Sequence, residues 1–279
     1  MIDLHLHTTA SDGRLAPAEL VDRVAAAGIT TMSVTDHDTV AGLAVVRSVA
    51  EARGIEFIDG IEITAVHDGR DIHMLGYFFD PSDRSLADFL VQQRRNRIDR
   101  VHEIASRLAA LGVPVSVDRL LARAAARPGA SVGRPAIARA LWKAGHVSSL
   151  QEAFDRYLAA GQAAFVPRSG RPPEEVIAAI HRAGGLASMA HPGVTKQPLL
   201  MAALADRGLD AIEVYHSDQS PEVRQELLAF AVERHLLVTG GSDFHGDDGR
   251  DRPLGGVTLP SAEFARLRAA ADRAPASGS

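Results

Sequence analysis

A repeating cycle constrains this chain most: an amphipathic stretch closes on Gly, and a short apolar segment ending in polar or charged residues follows. Pro17-Ala18-Glu19-Leu20 opens one stretch with Pro in the first turn, Gly28 closes it, and Thr31-Met32-Ser33-Val34-Thr35 follows as a strand. Gly54 likewise precedes Glu56-Phe57-Ile58, Gly184-Gly185 precede Leu186-Ala187-Ser188-Met189, Gly208 precedes Ala211-Ile212-Glu213-Val214, and His235 precedes Leu236-Leu237-Val238-Thr239. Strands alternating with helices of this length predict a parallel sheet covered by helices.

Seven strands are expected, at Ile2–Leu6, Thr31–Thr35, Glu56–Ile63, Ile72–Phe78, Leu186–Ala190, Ala211–Tyr215 and Leu236–Thr239. Nearly every one carries His, Asp or Glu at or near its C-terminal end, where barrels of this kind place their chemistry. The expected class is therefore α/β, a distorted seven-stranded (β/α) barrel rather than an open sheet.

The cycle breaks between Asp83 and about Arg168. Leu86 to Leu111 reads as one long helix, with Phe89, Leu90, Ile98, Val101, Ile104, Ala105 and Leu108 at roughly helical spacing and Gly112 at its end. Further helical segments are expected at Asp118–Ala126, Arg134–Ala144 and Leu150–Ala160, and a last one from Ser261 to about Arg273. The organisation this predicts is a discontinuous barrel, residues 1–82 and 166–273, with a helical insertion domain at 83–165 capping the site. Ala274–Ser279, built of Ala, Pro, Ser and Gly, is expected to be a frayed tail.

The chain has 12 His and no Cys among 279 residues, which excludes disulfides, Cys-based zinc structures and thiol nucleophiles. Met1-Ile2-Asp3-Leu4-His5-Leu6-His7 lacks the charged and apolar regions of a signal peptide. No stretch approaches the ~18 apolar residues that span a membrane. A soluble, cytoplasmic protein is expected. The formal charge of −5 argues against a chain-wide electrostatic grip on nucleic acid.

Chemistry enters at His5-Leu6-His7, since residues two apart on a strand point to one side and both imidazoles can reach one ion. Alone, the pair is more often just two polar residues at a strand end. But Asp12, His37, Glu62, His73, His191, Asp243 and His245 lie at or near the ends of this and other strands, and Asp243 and His245 repeat the spacing. Three carboxylates and six imidazoles converging on one rim would be costly to bury bare. Nine ligands exceed what one tetrahedral ion needs and suit two or three divalent ions sharing a bridging carboxylate. Imidazole and carboxylate without thiolate fit Zn²⁺, Mn²⁺ or Fe²⁺ and choose weakly among them.

These motifs resemble the PHP (polymerase and histidinol phosphatase) family of metal-dependent phosphoesterases. The resemblance lies in Asp3-Leu4-His5-Leu6-His7 with Ser11-Asp12-Gly13, Thr35-Asp36-His37-Asp38, Gly60-Ile61-Glu62, Asp71-Ile72-His73, Ala190-His191-Pro192 and Gly241-Ser242-Asp243-Phe244-His245. It implies a trinuclear centre, with Mn²⁺ the first choice and Mg²⁺ an alternative. His5, His7, Glu62 and Asp243 would hold the first ion; Glu62 as a bridge with His73 and His191 the second; Asp12, His37 and His245 the third. Glu62, Asp243 and His191 would position a bridging hydroxide. Many relatives, histidinol phosphatases included, have His where this chain has Asp12. The departure resembles the subgroup acting on nucleotides, some of which remove the 3′-phosphate of nucleoside 3′,5′-bisphosphates such as pAp or trim RNA from its 5′ end.

A phosphoester substrate agrees with the charge of the ligand set. Three divalent ions against three carboxylates leave the site at about +3 and bring the chain to about +1. A water bridging two ions would be acidified toward neutrality and attack phosphorus in line. In the insertion, Gln93-Arg94-Arg95-Asn96-Arg97 puts Arg94 and Arg97 on neighbouring helix positions, and Ser131-Val132-Gly133-Arg134-Pro135 puts Arg134 in a turn at a helix start, a place suited to anions. Lys143 and Arg168 are further substrate candidates. A solvated basic face is the competing reading for the helix Arg residues. His67, His102, His146, His181 and His235 read as surface histidines, and His216, either facing the site or hydrogen-bonding a ligand, stays outside the metal set.

The leading expectation is a phosphomonoesterase that removes the 3′-phosphate from nucleoside 3′,5′-bisphosphates, extending to 5′–3′ exonuclease action on short RNA. The rivals are a histidinol-phosphate phosphatase and, from another class, a non-catalytic metal-binding module that senses nucleotides.

Overall fold

The computed structural model describes residues 1–125, 133–167, 170–246 and 252–273. The chain runs β1 (Ile2–Asp3), α1 (Pro17–Ala26), β2 (Thr31–Val34), α2 (Leu43–Ala52), β3 (Glu56–His67), β4 (Arg70–Tyr77), α3 (Arg84–Ala110), α4 (Asp118–Ala125) and α5 (Arg134–Lys143). It continues through α6 (Leu150–Ala153), which passes into a π-helical turn at Phe154–Leu158, then α7 (Pro173–Arg182), β5 (Leu186–Met189), α8 (Pro192–Thr195), α9 (Pro198–Ala205), β6 (Ala211–His216), α10 (Pro221–Glu233), β7 (Leu237–Gly241) and α11 (Ser261–Ala271).

The seven strands lie in chain order and form a nearly closed barrel. Its two ends meet through Leu4 N–H on the Gly240 carbonyl (3.2 Å), Asp243 N–H on the His5 carbonyl (2.9 Å) and His7 N–H on the Phe244 carbonyl (3.0 Å). Ladder pairing of β1 therefore stops at Asp3, short of the expected Leu6, and only the isolated bridge Leu6–Phe244 continues it. Leu4 and Leu6 alternate with His5 and His7, so the leucines enter the apolar core while the imidazoles turn to the rim.

The expected all-parallel sheet is corrected at one strand. β4 runs antiparallel to both β3 and β5, whereas the other pairs are parallel. The cause is a two-residue hairpin between His67 and Arg70: Asp68 and Gly69 both take positive φ, 48° and 72°, the left-handed pair that a tight turn with the twist of a sheet demands. Asp-Gly is the sequence signal for that turn. Because β4 is reversed, His73 reaches the rim that carries His5 and His7 from near the start of its strand.

Helix α3 belongs to two apolar clusters. Leu86 and Leu90 pack into the barrel core, while Val101, Ile104 and Leu108 join Ile137, Leu141 and Leu158 in a second one. Between them the buried Gln93 side chain donates to the Thr64 carbonyl (2.9 Å), and Arg100 Nε donates to the Val166 carbonyl (2.9 Å). The expected helix over Leu150–Ala160 is shorter and ends in the π turn. The expected tail lies outside the described residues. Among those described, no helix is long and apolar enough to cross a membrane.

Gly241 marks where the barrel closes most tightly. A Cβ there would press on His5 N and come within 2.5 Å of His5 Cβ and 2.7 Å of Asp3 Oδ1. Gly241→Ala is expected to cost about 1–3 kcal/mol, as overpacking does, and to lower Tm by about 2–4 °C for each kcal/mol in a chain of this size. Thermal unfolding followed by circular dichroism checks this; an unchanged Tm counts against the closure.

Candidate metal centre

The side chains of the rim are set by backbone that few other sequences would adopt. Asp243 has φ 54° and His191 has φ 29°, conformations uncommon for residues other than Gly. Asp3 Oδ1 accepts the N–H of Ser242 (2.9 Å) and of His5 (3.3 Å), tying the first strand to the segment after the last. Burial pushes the Asp3 carboxyl up to about 6, against those hydrogen bonds. Asp36, also buried and pushed up, gathers Thr8 N–H (2.8 Å), Thr8 Oγ1 (2.6 Å) and Ser11 Oγ (2.5 Å), and so shapes the loop that presents Asp12.

Glu62 sits at the centre. Its Oε1 lies 2.8 Å from His73 Nδ1 and 3.3 Å from His191 Nε2, while Oε2 lies 3.3–3.4 Å from His5 Nε2, His7 Nε2 and His37 Nδ1. One carboxylate thus faces five imidazoles, divided between its two oxygens. Asp243 Oδ1 lies 3.4 Å from His5 Nε2, 3.2 Å from His7 Nε2 and 3.4 Å from His245 Nδ1. Asp12, half exposed, comes within 3.3 Å of His245, 3.8 Å of His7 and 3.9 Å of His37. All nine residues singled out from the sequence as ligands are therefore gathered on one rim.

The electrostatics show how tightly the charges depend on one another. Burial opposes ionisation of Glu62 and Asp243, yet the surrounding imidazoles hold both well below the usual carboxylate range. Burial likewise opposes a charge on His5 and His7, but the carboxylates win: His5 is held well above its ordinary value and His7 is pushed up to about 10. His37 goes the other way, down to about 4, because burial together with His7 and His73 outweighs Glu62. Several buried nitrogens still lack a hydrogen bond: both of His7, Nδ1 of His37 and Nδ1 of His191. Such atoms are costly unless another partner is supplied.

Divalent cations would supply it. Three groups of donor atoms lie within 4.8 Å of one another, as one ion requires: His5, His7 and Asp243; His37, Glu62 and His73; and His7, Asp12, His37 and His245. Their nitrogen and oxygen donors without sulfur suit first-row divalent ions. A fourth group, His5, Glu213 and His216, was not assembled from the sequence. Strict strand alternation puts residues 213 and 216 on opposite faces, but β6 carries a bulge between Glu213 and Tyr215 that turns both inward. Arg252 was also missed. Its guanidinium donates to Asp243 Oδ2 and to Asp218.

The insertion candidates are less uniform. Arg97 donates to Asp38, whose Oδ1 accepts Thr64 N–H (3.0 Å) beside Glu62. Arg134 opens α5 after Gly133, donates to the Leu158 carbonyl (3.2 Å) and stacks over Phe165 at 5.5 Å. Arg94 and Lys143 are exposed, and Arg168 lies outside the described residues. Of the histidines read as surface residues, His102 and His235 are exposed, His181 pairs with Asp210 (2.6 Å) and His146 contacts the Pro114 carbonyl (3.0 Å).

The sequence profile of the PHP domain matches residues 3–165. The chain is 39% identical over 250 residues to the 5′-3′ exoribonuclease Rnm of Escherichia coli, covering 87% of this chain and 84% of that protein. It is 33% identical over 257 residues to the 3′,5′-nucleoside bisphosphate phosphatase of Chromobacterium violaceum, covering 90% of each. Among solved structures, a Bifidobacterium adolescentis protein described as a metal-dependent phosphoesterase superposes with a TM-score of 0.80 at 33% identity, over 96% of this chain and 95% of that one.

Ligation needs neutral imidazole, so ions entering the rim must displace the protons that Glu62, Asp243 and Glu213 hold on His5 and His7. Both groups are raised, so uptake at pH 7 should release protons and tighten as pH rises. Calorimetric titration with Mn²⁺ in buffers of different ionisation enthalpy measures this. Uptake without proton release would refute the charge pairing.

Proposed function

This chain belongs to the PHP family, and from that premise we propose that it removes the 3′-phosphate from nucleoside 3′,5′-bisphosphates such as pAp, with 5′–3′ action on short RNA as an extension. It is a metal-dependent phosphoric ester hydrolase, like the relatives it matches along most of their length. The observation that carries the substrate reading is that the two relatives described above, similar along most of the chain, are named as an exoribonuclease and a nucleoside bisphosphate phosphatase. Asp12 supports it, standing where histidinol phosphatases carry His.

In this reading His5, His7, Glu62 and Asp243 hold one ion, Glu62, His73 and His191 a second, and Asp12, His37 and His245 a third, with Mn²⁺ the first choice. Bound there, divalent ions acidify water toward neutrality and neutralise the phosphoryl oxygens. Glu62 would serve two of the sites, since its two oxygens face different imidazoles. His191, on its left-handed backbone, faces Oε1, and Asp243 faces His5 and His7. Half-exposed Asp12 leaves the third site open to a phosphate from solvent. The balanced reaction is phosphomonoester and water to alcohol and phosphate.

The helical segment 83–165 is proposed as an insertion that caps this rim. Arg97, already drawn to Asp38 beside His37, and Arg134, steadied on the Leu158 carbonyl and Phe165, are its phosphate contacts, with Arg94, Lys143 and Arg168 as outer ones. The protein is expected to work in the cytoplasm.

Phosphate release from pAp, histidinol phosphate and a 5′-phosphorylated oligonucleotide with Mn²⁺ tests the reading. pAp should give 5′-AMP and phosphate. Preference for histidinol phosphate would overturn the substrate, and release from none would favour a sensing module. Asp243→Asn should lower kcat by more than about 100-fold, beyond the cost of losing an outer hydrogen-bond partner. Arg134→Ala should raise KM for pAp about 10–100-fold, the worth of one charged hydrogen bond, with kcat little changed. An unchanged KM would remove Arg134 from the binding site.

A further inference from the structure

Glu213 has no place in the proposed ligand sets, yet it is fully buried beside them and both its oxygens are engaged. Oε1 lies 2.8 Å from His5 Nδ1, and Oε2 accepts the backbone N–H of His191 (2.8 Å). Its position is fixed in turn by Gln219, whose Nε2 donates to the Glu213 carbonyl (3.1 Å) and the Val214 carbonyl (2.7 Å), and whose Oε1 accepts Gly193 N–H (2.8 Å). The β6 bulge, Gln219 and the His191-Pro192-Gly193 turn thus form one buried scaffold around a single carboxylate.

An ionised carboxylate can only accept hydrogen bonds. The proton on the His5 ring facing Glu213 must therefore sit on Nδ1, so the proton that an entering ion displaces is the one on Nε2, the nitrogen facing Glu62 and Asp243 at 3.4 Å each. His216 is set in the opposite sense. Asp218 N–H donates to His216 Nδ1 (3.1 Å), so the proton of the neutral ring is on Nε2, where it faces Asp243 Oδ2 at 3.3 Å. His216 is thus oriented as a hydrogen-bond donor to Asp243 Oδ2, and it leaves Oδ1 turned toward His5 and His7.

We propose that Glu213 is a positioning residue for the metal centre: one carboxylate fixes the tautomer of His5 in the first site and the backbone of His191 in the second. The proposal rests on the reading of the rim as a metal centre. It assigns Glu213 no contact with substrate. Its effect is on ligand basicity and orientation, and so on how tightly ions are held.

Two measurements on the full chain test it. In Zn²⁺-loaded native protein, ¹⁵N spectroscopy of the histidine rings should show His5 protonated at Nδ1 and metal-bound at Nε2. The reverse tautomer would overturn the proposal, and this measurement stands even if a variant does not fold. In Glu213→Gln the amide can serve only one of the two donors and turns its own N–H toward the other. The Kd for Mn²⁺ should rise about 10–100-fold, with the His5 Nδ1–H resonance shifted. A folded Glu213→Gln protein with native Mn²⁺ affinity and stoichiometry would remove the positioning role while leaving the metal reading intact. A native chain that takes up no divalent ion would overturn both.

Discussion

The structure is organised around an anion that no local sequence could keep buried. Glu62 has almost no exposure to water, and removing a carboxylate from water costs several kcal/mol unless charge is returned to it. Here five imidazoles from four separate segments return it: His5 and His7 after β1, His37 after β2, His73 on β4 and His191 after β5. Each alone is a poor partner, since burial resists its protonation. Together with Asp243 they form a network in which carboxylates hold protons on His5 and His7 while the crowded His37 loses its own. In the proposed metal centre a divalent ion would replace several such protons at once.

That arrangement places demands on the barrel. Its first and last strands must meet at the ligands, which is why Asp3, Gly241 and the left-handed Asp243 converge where β1 gives way to single hydrogen bonds. The reversed β4 serves the same end. A parallel fourth strand would need a long crossover, whereas the Asp68-Gly69 hairpin returns the chain at once and brings His73 opposite Thr64, two residues beyond Glu62. Helix α3 then links the rim to the second apolar cluster, with Gln93 on the Thr64 carbonyl and Arg97 on Asp38 one turn further along.

Much of this could be read in advance, because the period of apolar residues and the chemistry of Gly, Pro and His are local. The seven strands follow from the helix-then-strand cycle, and the nine candidate ligands from polar residues clustering at strand ends. Two things escaped, for different reasons. Asp68-Gly69 carries a hairpin signal, yet the helix-then-strand cycle taken alone leads to a parallel fourth strand. The β6 bulge has no local signal in Ala211–His216, and it turns Glu213, for which the sequence offers no role, inward beside His216.

The sequence by itself determined the α/β class, the kind of donor available to a metal and the spacing of donors within each segment, since these depend on side-chain chemistry and short-range periodicity. Only the tertiary structure decided which donors share an atom, which ring nitrogen each imidazole presents, and that Glu213 reaches two segments as far apart in the chain as His5 and His191. Those outcomes depend on where strands distant in sequence are brought into register, and on buried charges that acquire their state only from one another.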